Sequence, residues 1–296
     1  MESPPMASPS RRNFLKMAGL AVAAGAFPAS TALTQDKQGG GARNLLTFGL
    51  GVASYSFRSF TLDQTVAMTK RLGIERLALK DVHLPLTSSA EEIAAVLAKM
   101  KAAGVRLSTC GVVYMTSVTE VERAFAYAKA AGLKFLVGAP DEALLHAAER
   151  AVKAADIALA IHNHGPTDNR YPSPESIYRL IAKMDRRMGL CIDCGHTQRL
   201  GLDPSIEAER FFDRLFDLHV KDVSAAEASG STVEIGRGVI DIPKLLGTLM
   251  RLKYSGTLHI EFEKDEKDPL AGVAESVGYL RGVLASLLSD KSERLK

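Results

Sequence analysis

The chain has 296 residues, 46% of them hydrophobic and 24% charged, which excludes a disordered or fibrous protein and leaves one large domain or two small ones. The net charge is +3, and residues 1–32 hold Arg11, Arg12 and Lys16 against Glu2, so the remainder carries about +1, far from the basic excess of a nucleic-acid-binding surface. Three Cys exclude a disulfide framework, and no apolar run beyond the N-terminus reaches the roughly 18–20 residues of a bilayer span.

The first element is an address. Ser10-Arg11-Arg12-Asn13-Phe14-Leu15-Lys16 precedes a mildly apolar stretch from Met17 to Phe27, followed by small residues around Ser30-Thr31-Ala32. A charged start, a short apolar run and a small-residue end read as a cleaved export signal. The apolar run is too short to cross a membrane. The paired arginines followed by Phe-Leu-Lys resemble the twin-arginine signal. That resemblance implies recognition by the twin-arginine export machinery, cleavage near Ala32 and a periplasmic protein that folds, and loads any metal, before export. No Cys follows the apolar run, which excludes a lipid anchor there. Residues 33–44 read as a linker and residues 45–290 as the folded domain.

From Thr47 onward, short β-branched or apolar runs alternate with amphipathic segments. The pattern predicts strands over Gly49–Ser54, Arg76–Lys80, Arg106–Val112, Phe135–Gly138, Ile157–His162, Gly189–Asp193, Leu215–Val220 and Thr257–Glu261. Helices are expected over Ala90–Ala103, Glu120–Ala131, Glu142–Ala154 and Ile240–Leu252. Gly73, Gly104, Gly132, Gly189 and Gly256 fall where a left-handed helix cap is wanted. Thr119 with Glu122 has capping-box spacing, and Asp141 is placed to cap the next helix. Eight strand–helix repeats predict an α/β fold, a (β/α)8 TIM barrel. The competing doubly wound sheet wants a Gly-rich phosphate turn after its first strand, and Gly51-Val52-Ala53-Ser54 is not one.

Barrel chemistry sits at the C-terminal ends of the strands. Of seven histidines, only His146 falls within a predicted helix; His83, His162, His164, His196, His219 and His259 lie on or just after predicted strands. Ala160-Ile161-His162-Asn163-His164-Gly165 ends the fifth strand, with His162 and His164 on one face. Asp193 closes the apolar run of the sixth. Asp217, His219 and Lys221 alternate to one side of the seventh, and His259, Glu261 and Glu263 do so on the eighth. Charges pointing into a barrel are costly unless paired or bound to metal, so one cation held by four adjacent strand ends is the simplest account. As a purely structural carboxylate, Asp193 would need a cation partner of its own. Cys191 and Cys194 lie three apart on an extended strand and point to opposite faces, which argues against a redox pair.

The stretches "IHNHGP", "GLCIDCGHT", "FDLHVKD", "GRGVIDIP" and "YSGTLHIEFE" together resemble the xylose isomerase-like TIM barrels, the sugar phosphate isomerase/epimerase superfamily, over residues 47–285. The resemblance implies one divalent cation, Mn2+, Co2+, Mg2+ or Zn2+, with Asp193, His219 and Glu261 as ligands and His196 and Lys221 beside the substrate. The chain departs from the family at the fifth strand, where His162 replaces a glutamate that serves there as ligand and acid/base. Imidazole still binds metal, so His162, Asp193, His219 and Glu261 form the expected ligand set. A ligand cannot also be the free base, which turns attention to His164, His196 and Glu263. The catalytic candidates are therefore Glu261, His162 and His164; the substrate-binding candidates are His83, His164, His196, Lys221, Arg237 and Glu263.

These residues point to proton removal from a carbon next to a carbonyl through an enediolate, the step of a metal-dependent sugar isomerase or epimerase. Export favours a free sugar or glycoside over a sugar phosphate, which keeps a keto-sugar or 3-keto-glycoside lyase or hydratase as the alternative. A non-catalytic carbohydrate-binding barrel is a third reading. The expected partners are a small sugar or keto-sugar and no nucleic acid, and the sequence leaves a homo-oligomer open.

Overall fold

The period-two runs form strands and the capped amphipathic runs form helices, and their alternation closes a barrel. The computed structural model describes residues 46–166 and 168–293; the expected signal and linker lie outside them. In chain order the sheet elements are β1 (Gly49–Ala53), β2 (Arg76–Leu79), β3 (Arg106–Cys110), β4 (Val113–Met115), β5 (Phe135–Pro140), β6 (Ala158–His162), β7 (Met188–Asp193), β8 (Leu215–Val220), β9 (Asp222–Val223), β10 (Thr232–Val233) and β11 (Thr257–Ile260). The helices are α1 (Leu62–Arg71), α2 (Ala90–Ala102), α3 (Val118–Ala130), α4 (Leu145–Ala155), α5 (Pro174–Ile181), α6 (Cys194–Gln198), α7 (Pro204–Arg210), α8 (Ile242–Arg251) and α9 (Leu270–Glu293).

The main sheet is parallel and runs β3-β2-β1-β11-β8-β7-β6-β5-β4. Its two ends, β3 and β4, are one stretch of chain broken at Gly111-Val112, so nine strands make eight staves of a TIM barrel. The expected third strand is thus split and runs on to Met115. The break needs a glycine: Gly111 has φ +133°, and a Cβ there would lie 2.1 Å from the Val137 carbonyl oxygen.

Outward strand residues such as Leu77, Leu136, Leu159, Leu190, Leu218 and Leu258 are fully buried in the main core cluster. A smaller cluster of Val137, Ala160 and Cys191 forms separately from it. The next position along β6 and β7 on the same side is His162 and Asp193, which lifts the polar residues to the C-terminal mouth.

Several local expectations are corrected. α3 starts at Val118, and its cap is Ser117, whose side chain accepts from the Glu120 amide; Thr119 is already helical, so the Thr119–Glu122 box does not form. Asp141 opens a 3₁₀ turn without a side-chain cap and pairs instead with Arg170 at 2.7 Å. Gly73, Gly104 and Gly132 are left-handed as expected, whereas Gly189 and Gly256 are not. Gly189 lies inside β7, where a Cβ would sit 2.3 Å from the Phe216 ring, and the left-handed residue before β11 is Lys253. Helix α8 begins two residues later than expected because Asp241 caps it, accepting from the Lys244 amide.

Candidate active site

Four neighbouring staves converge on one point. His162 ends β6, Asp193 ends β7, His219 lies in β8 and Glu261 follows β11; one nitrogen or oxygen from each lies within 4.8 Å of the others, and all four residues are buried. His219 Nδ1 is 3.2 Å from Glu261 Oε2, and His162 Nε2 is 3.6 Å from Asp193 Oδ2. The carboxylate of Asp193 is aimed by its surroundings. Its Oδ1 accepts from the His196 amide at 2.7 Å, capping α6, and its backbone N–H donates to Asn163 Oδ1 at 2.9 Å. Asn163 is fixed in turn by Thr197. That leaves Asp193 Oδ2 and both His162 ring nitrogens buried with no hydrogen-bond partner.

Lys221 neutralises part of the cluster. Its ammonium lies 3.1 Å from Asp193 Oδ2, 3.0 Å from Glu261 Oε2 and 2.5 Å from Glu263 Oε1. Asp193 therefore has a cation partner, but it shares that partner with two other carboxylates. Three carboxylates against one ammonium leave a formal charge of −2, which a single dication balances. Burial drives the His162 imidazole down to about 3, so it is a neutral ring with a free lone pair. Burial raises the Asp193 and Glu261 carboxyls, but for Asp193 the positive field of His196 and Lys221, and for Glu261 that of Lys221 and His219, outweigh it and hold both well below the usual range. Two neutral or neutralisable imidazoles, two ionised carboxylates and orphaned atoms facing one another suit a divalent cation.

Above the cluster opens a cavity of about 250 Å³ walled by Tyr55, Lys80, Val112, Tyr114, His164, His196 and Glu263, with His162 and Glu261 also lining it. His164 Nε2 meets the Tyr114 hydroxyl at 2.9 Å, and the two rings stack at 5.5 Å. His196 Nδ1 is buried without a partner. The expected residues His162, His164, His196, His219, Lys221, Asp193, Glu261 and Glu263 thus gather in one place.

Two others do not. His83 is buried against α1, with Nε2 donating to the Phe60 carbonyl at 3.1 Å and Nδ1 2.9 Å from Ser54 Oγ, and it does not line the cavity. Arg237 turns outward into a two-pronged pair with Glu275. Its loop folds back because the buried Asp222 carboxylate accepts from the amides of Gly236, Gly238, Val223 and Ile240. Cys191 and Cys194 are free, and burial pushes both thiols up, which removes redox reactivity. Sequence reasoning missed Lys80 and Tyr114. Lys80 follows β2 directly, a strand-end position that was visible; Tyr114 lies beyond the break at Gly111-Val112, in a strand that the pattern did not show.

Residues 53–283 match the family of xylose isomerase-like TIM barrels. The chain belongs to this family. Residues 8–28 match the signal sequence of the twin-arginine translocation pathway, so the chain carries a signal for export across the cytoplasmic membrane. Among the described residues no helix is long and apolar enough to cross a membrane. The rhizopine catabolism protein MocC of Rhizobium meliloti is 31% identical over 124 residues, covering 37% of this chain and 38% of that protein. Among solved structures, an L-ribulose 3-epimerase superposes with a TM-score of 0.67 at 15% identity, covering 84% of this chain and 98% of its own. The 3-keto-D-glucoside 4-epimerase YcjR of E. coli does so with a TM-score of 0.65 at 15% identity, covering 79% and 99%. Likeness at these identities is one of fold.

Proposed function

We propose that this protein is a divalent-metal-dependent sugar isomerase or epimerase of the periplasm. Residues 1–32 act as a cleaved signal, 33–44 as a linker and 45–290 as the barrel. The observation that carries the reading is the convergence of His162, Asp193, His219 and Glu261 beneath an open polar cavity. These four residues hold the ion. When bound, it supplies Lewis-acid stabilisation of the oxygen that gains charge as the neighbouring carbon loses its proton.

The chain's own residues do the rest. Tyr55 and Tyr114 wall the sugar, and His196 and Lys80 bind its hydroxyls. His164 Nε2 takes the proton from the carbon beside the carbonyl, the C–H pair becomes a C=C bond, and the carbonyl π pair moves onto oxygen to give an enediolate. A positioned base of this kind contributes roughly 10²–10⁴-fold. Lys221, whose ammonium also donates to Glu263, donates toward the developing oxyanion. Return of the proton to the former carbonyl carbon, with the hydroxyl proton passing from one oxygen to the other, gives the isomer; delivery of a proton to the original carbon by a second group on the opposite face, with the carbonyl restored, gives the epimer.

A keto-sugar or 3-keto-glycoside lyase starts with the same proton removal. What favours keeping that second reading is that His164 and His196 follow the adjacent staves β6 and β7, a one-sided arrangement that suits elimination. Elemental analysis of the purified protein tests the metal: about one divalent ion per chain, lost in His219→Ala, is expected. Incubation of candidate keto-sugars in deuterated water tests the chemistry. Deuterium beside the carbonyl with the skeleton intact supports the isomerase, a new C=C with loss of a leaving group supports the lyase, and binding without exchange means a carbohydrate-binding barrel.

A further inference from the structure

One layer beneath the ligand cluster, the barrel interior holds a second polar line that the proton chemistry does not use. Ser108 on β3, His259 on β11 and Asp217 on β8 form a chain of short contacts: Ser108 Oγ is 2.7 Å from His259 Nε2, and His259 Nδ1 is 2.8 Å from Asp217 Oδ1 and 3.0 Å from Oδ2. A carboxylate can only accept here, so His259 Nδ1–H donates to Asp217 and the Ser108 hydroxyl donates to Nε2. Asp217 and His259 are completely buried. Space for the His259 ring is made by Gly51, where a Cβ would sit 2.6 Å from its Cδ2.

Asp217 is the anomaly. Among the described residues it has no Lys or Arg within ion-pair distance; its neighbours are His259, the Cys191 thiol, which donates to Oδ2 at 3.8 Å, and His219, whose Nε2 lies 3.8 Å from Asp217 Oδ2. A buried carboxylate without a Lys or Arg partner is costly to keep, which calls for a role. His219 stands between Asp217 on its Nε2 side and the ligand cluster on its Nδ1 side. In this structure Nδ1–H donates to Glu261 Oε2 at 3.2 Å; an ion in the cluster would need the Nδ1 lone pair, and the proton would then belong on Nε2, where Asp217 Oδ2 is the carboxylate oxygen beside it at 3.8 Å.

We infer that Asp217, locked by His259 and Ser108, is the positioning carboxylate that backs the Nε2 side of the His219 ring and so presents Nδ1 to a metal ion. This rests on the reading of His219 as a ligand. Ser108 is no nucleophile in this scheme, since it lies inside a strand and does not line the cavity.

The test titrates the full chain with Co2+ alone, following affinity and the visible Co2+ absorption. Asp217→Asn, which keeps shape and removes charge, is expected to weaken Co2+ binding roughly 10–100-fold and to change the absorption band, while His259→Gln gives a smaller shift in the same direction. Circular dichroism shows that the variants are folded; should Asp217→Asn not fold, Ser108→Ala, which loosens His259 only, is read instead and is expected to weaken binding measurably. Wild type that takes up no Co2+ overturns the metal reading and the inference with it. Wild type that binds Co2+ while folded variants bind equally tightly with an unchanged band overturns the inference alone and leaves the buried line a packing feature.

Discussion

The two halves of the barrel wall are built for different tasks. Staves β6, β7, β8 and β11 carry His162, Asp193, His219 and Glu261, and three of these have a brace: Asn163 and the α6 amide for Asp193, Lys221 for both carboxylates, Asp217 beside His219; His162 is held by packing alone, with neither ring nitrogen hydrogen-bonded. Staves β1 and β5 carry Gly51 and Val137 one layer down, level with His259 and Ala160, and this half reaches the site at the rim through Tyr55, Lys80, Val112 and Tyr114. Charge that must be held to a few tenths of an ångström sits on the braced half. The other half supplies volume and a wall that a substrate can press against.

The largest expected effect breaks the braced half at its shared counter-ion. Lys221→Met leaves the buried Asp193 and Glu261 and the partly exposed Glu263 without their common cation. Removing one member of such a cluster costs about 3–5 kcal/mol, read as a fall in the unfolding midpoint of ion-free protein. Adding a divalent ion recovers part of the loss, because the dication replaces the missing charge. An unchanged midpoint would mean that the three carboxylates do not depend on Lys221.

A smaller effect sharpens the donor set. With two imidazoles and two carboxylates, the site should take Zn2+ or Co2+ over Mg2+ by at least roughly 100-fold, since imidazole suits the former and oxygen-rich sites the latter. His162→Glu exchanges a nitrogen for an oxygen donor and should narrow that gap. Competition against a chromophoric chelator reads it directly, and a preference that does not move would remove His162 from the ligand set.

On the rim, Tyr114→Phe removes the hydroxyl that meets His164 Nε2 at 2.9 Å. One hydrogen bond to a half-buried imidazole is worth about 1 kcal/mol, so turnover should fall several-fold with the metal content unchanged. A loss of metal in this variant would break the division between the two halves.

The braced half was legible in the sequence and the rim largely was not, for a physical reason. Inward-facing charge at the end of an apolar, period-two run is costly without a purpose, so the four strand ends stand out, and the family resemblance singles out His162, Asp193, His219 and Glu261 among their polar neighbours. The rim carries no such penalty. Tyr114 is half exposed and sits past a break that only the backbone at Gly111 reveals. The Ser108–His259–Asp217 line was half visible: Asp217 and His259 share the period of their ligand neighbours, but Ser108 comes from a stave more than 100 residues away and looks like any strand serine. Gly51 was weighed only as a missing phosphate loop, whereas its role is to admit the His259 ring.

Arg237 gives the smallest expected effect and the sharpest check on reading rim residues from sequence. Its motif, Gly236-Arg237-Gly238, places it beside the mouth on paper, because a loop after a barrel strand normally faces substrate. In the structure Asp222 gathers the amides of Gly236 and Gly238 beneath the loop, and the guanidinium swings out to Glu275 on α9. The ion pair is exposed, and solvent screens it. Arg237→Ala should therefore leave KM, kcat and metal content where they are in the wild type. A rise in KM alone would mean that the loop turns inward over bound sugar and that Arg237 leaves Glu275 for the substrate, which would add a mobile cation to the wall built otherwise from Tyr55, Lys80 and Tyr114.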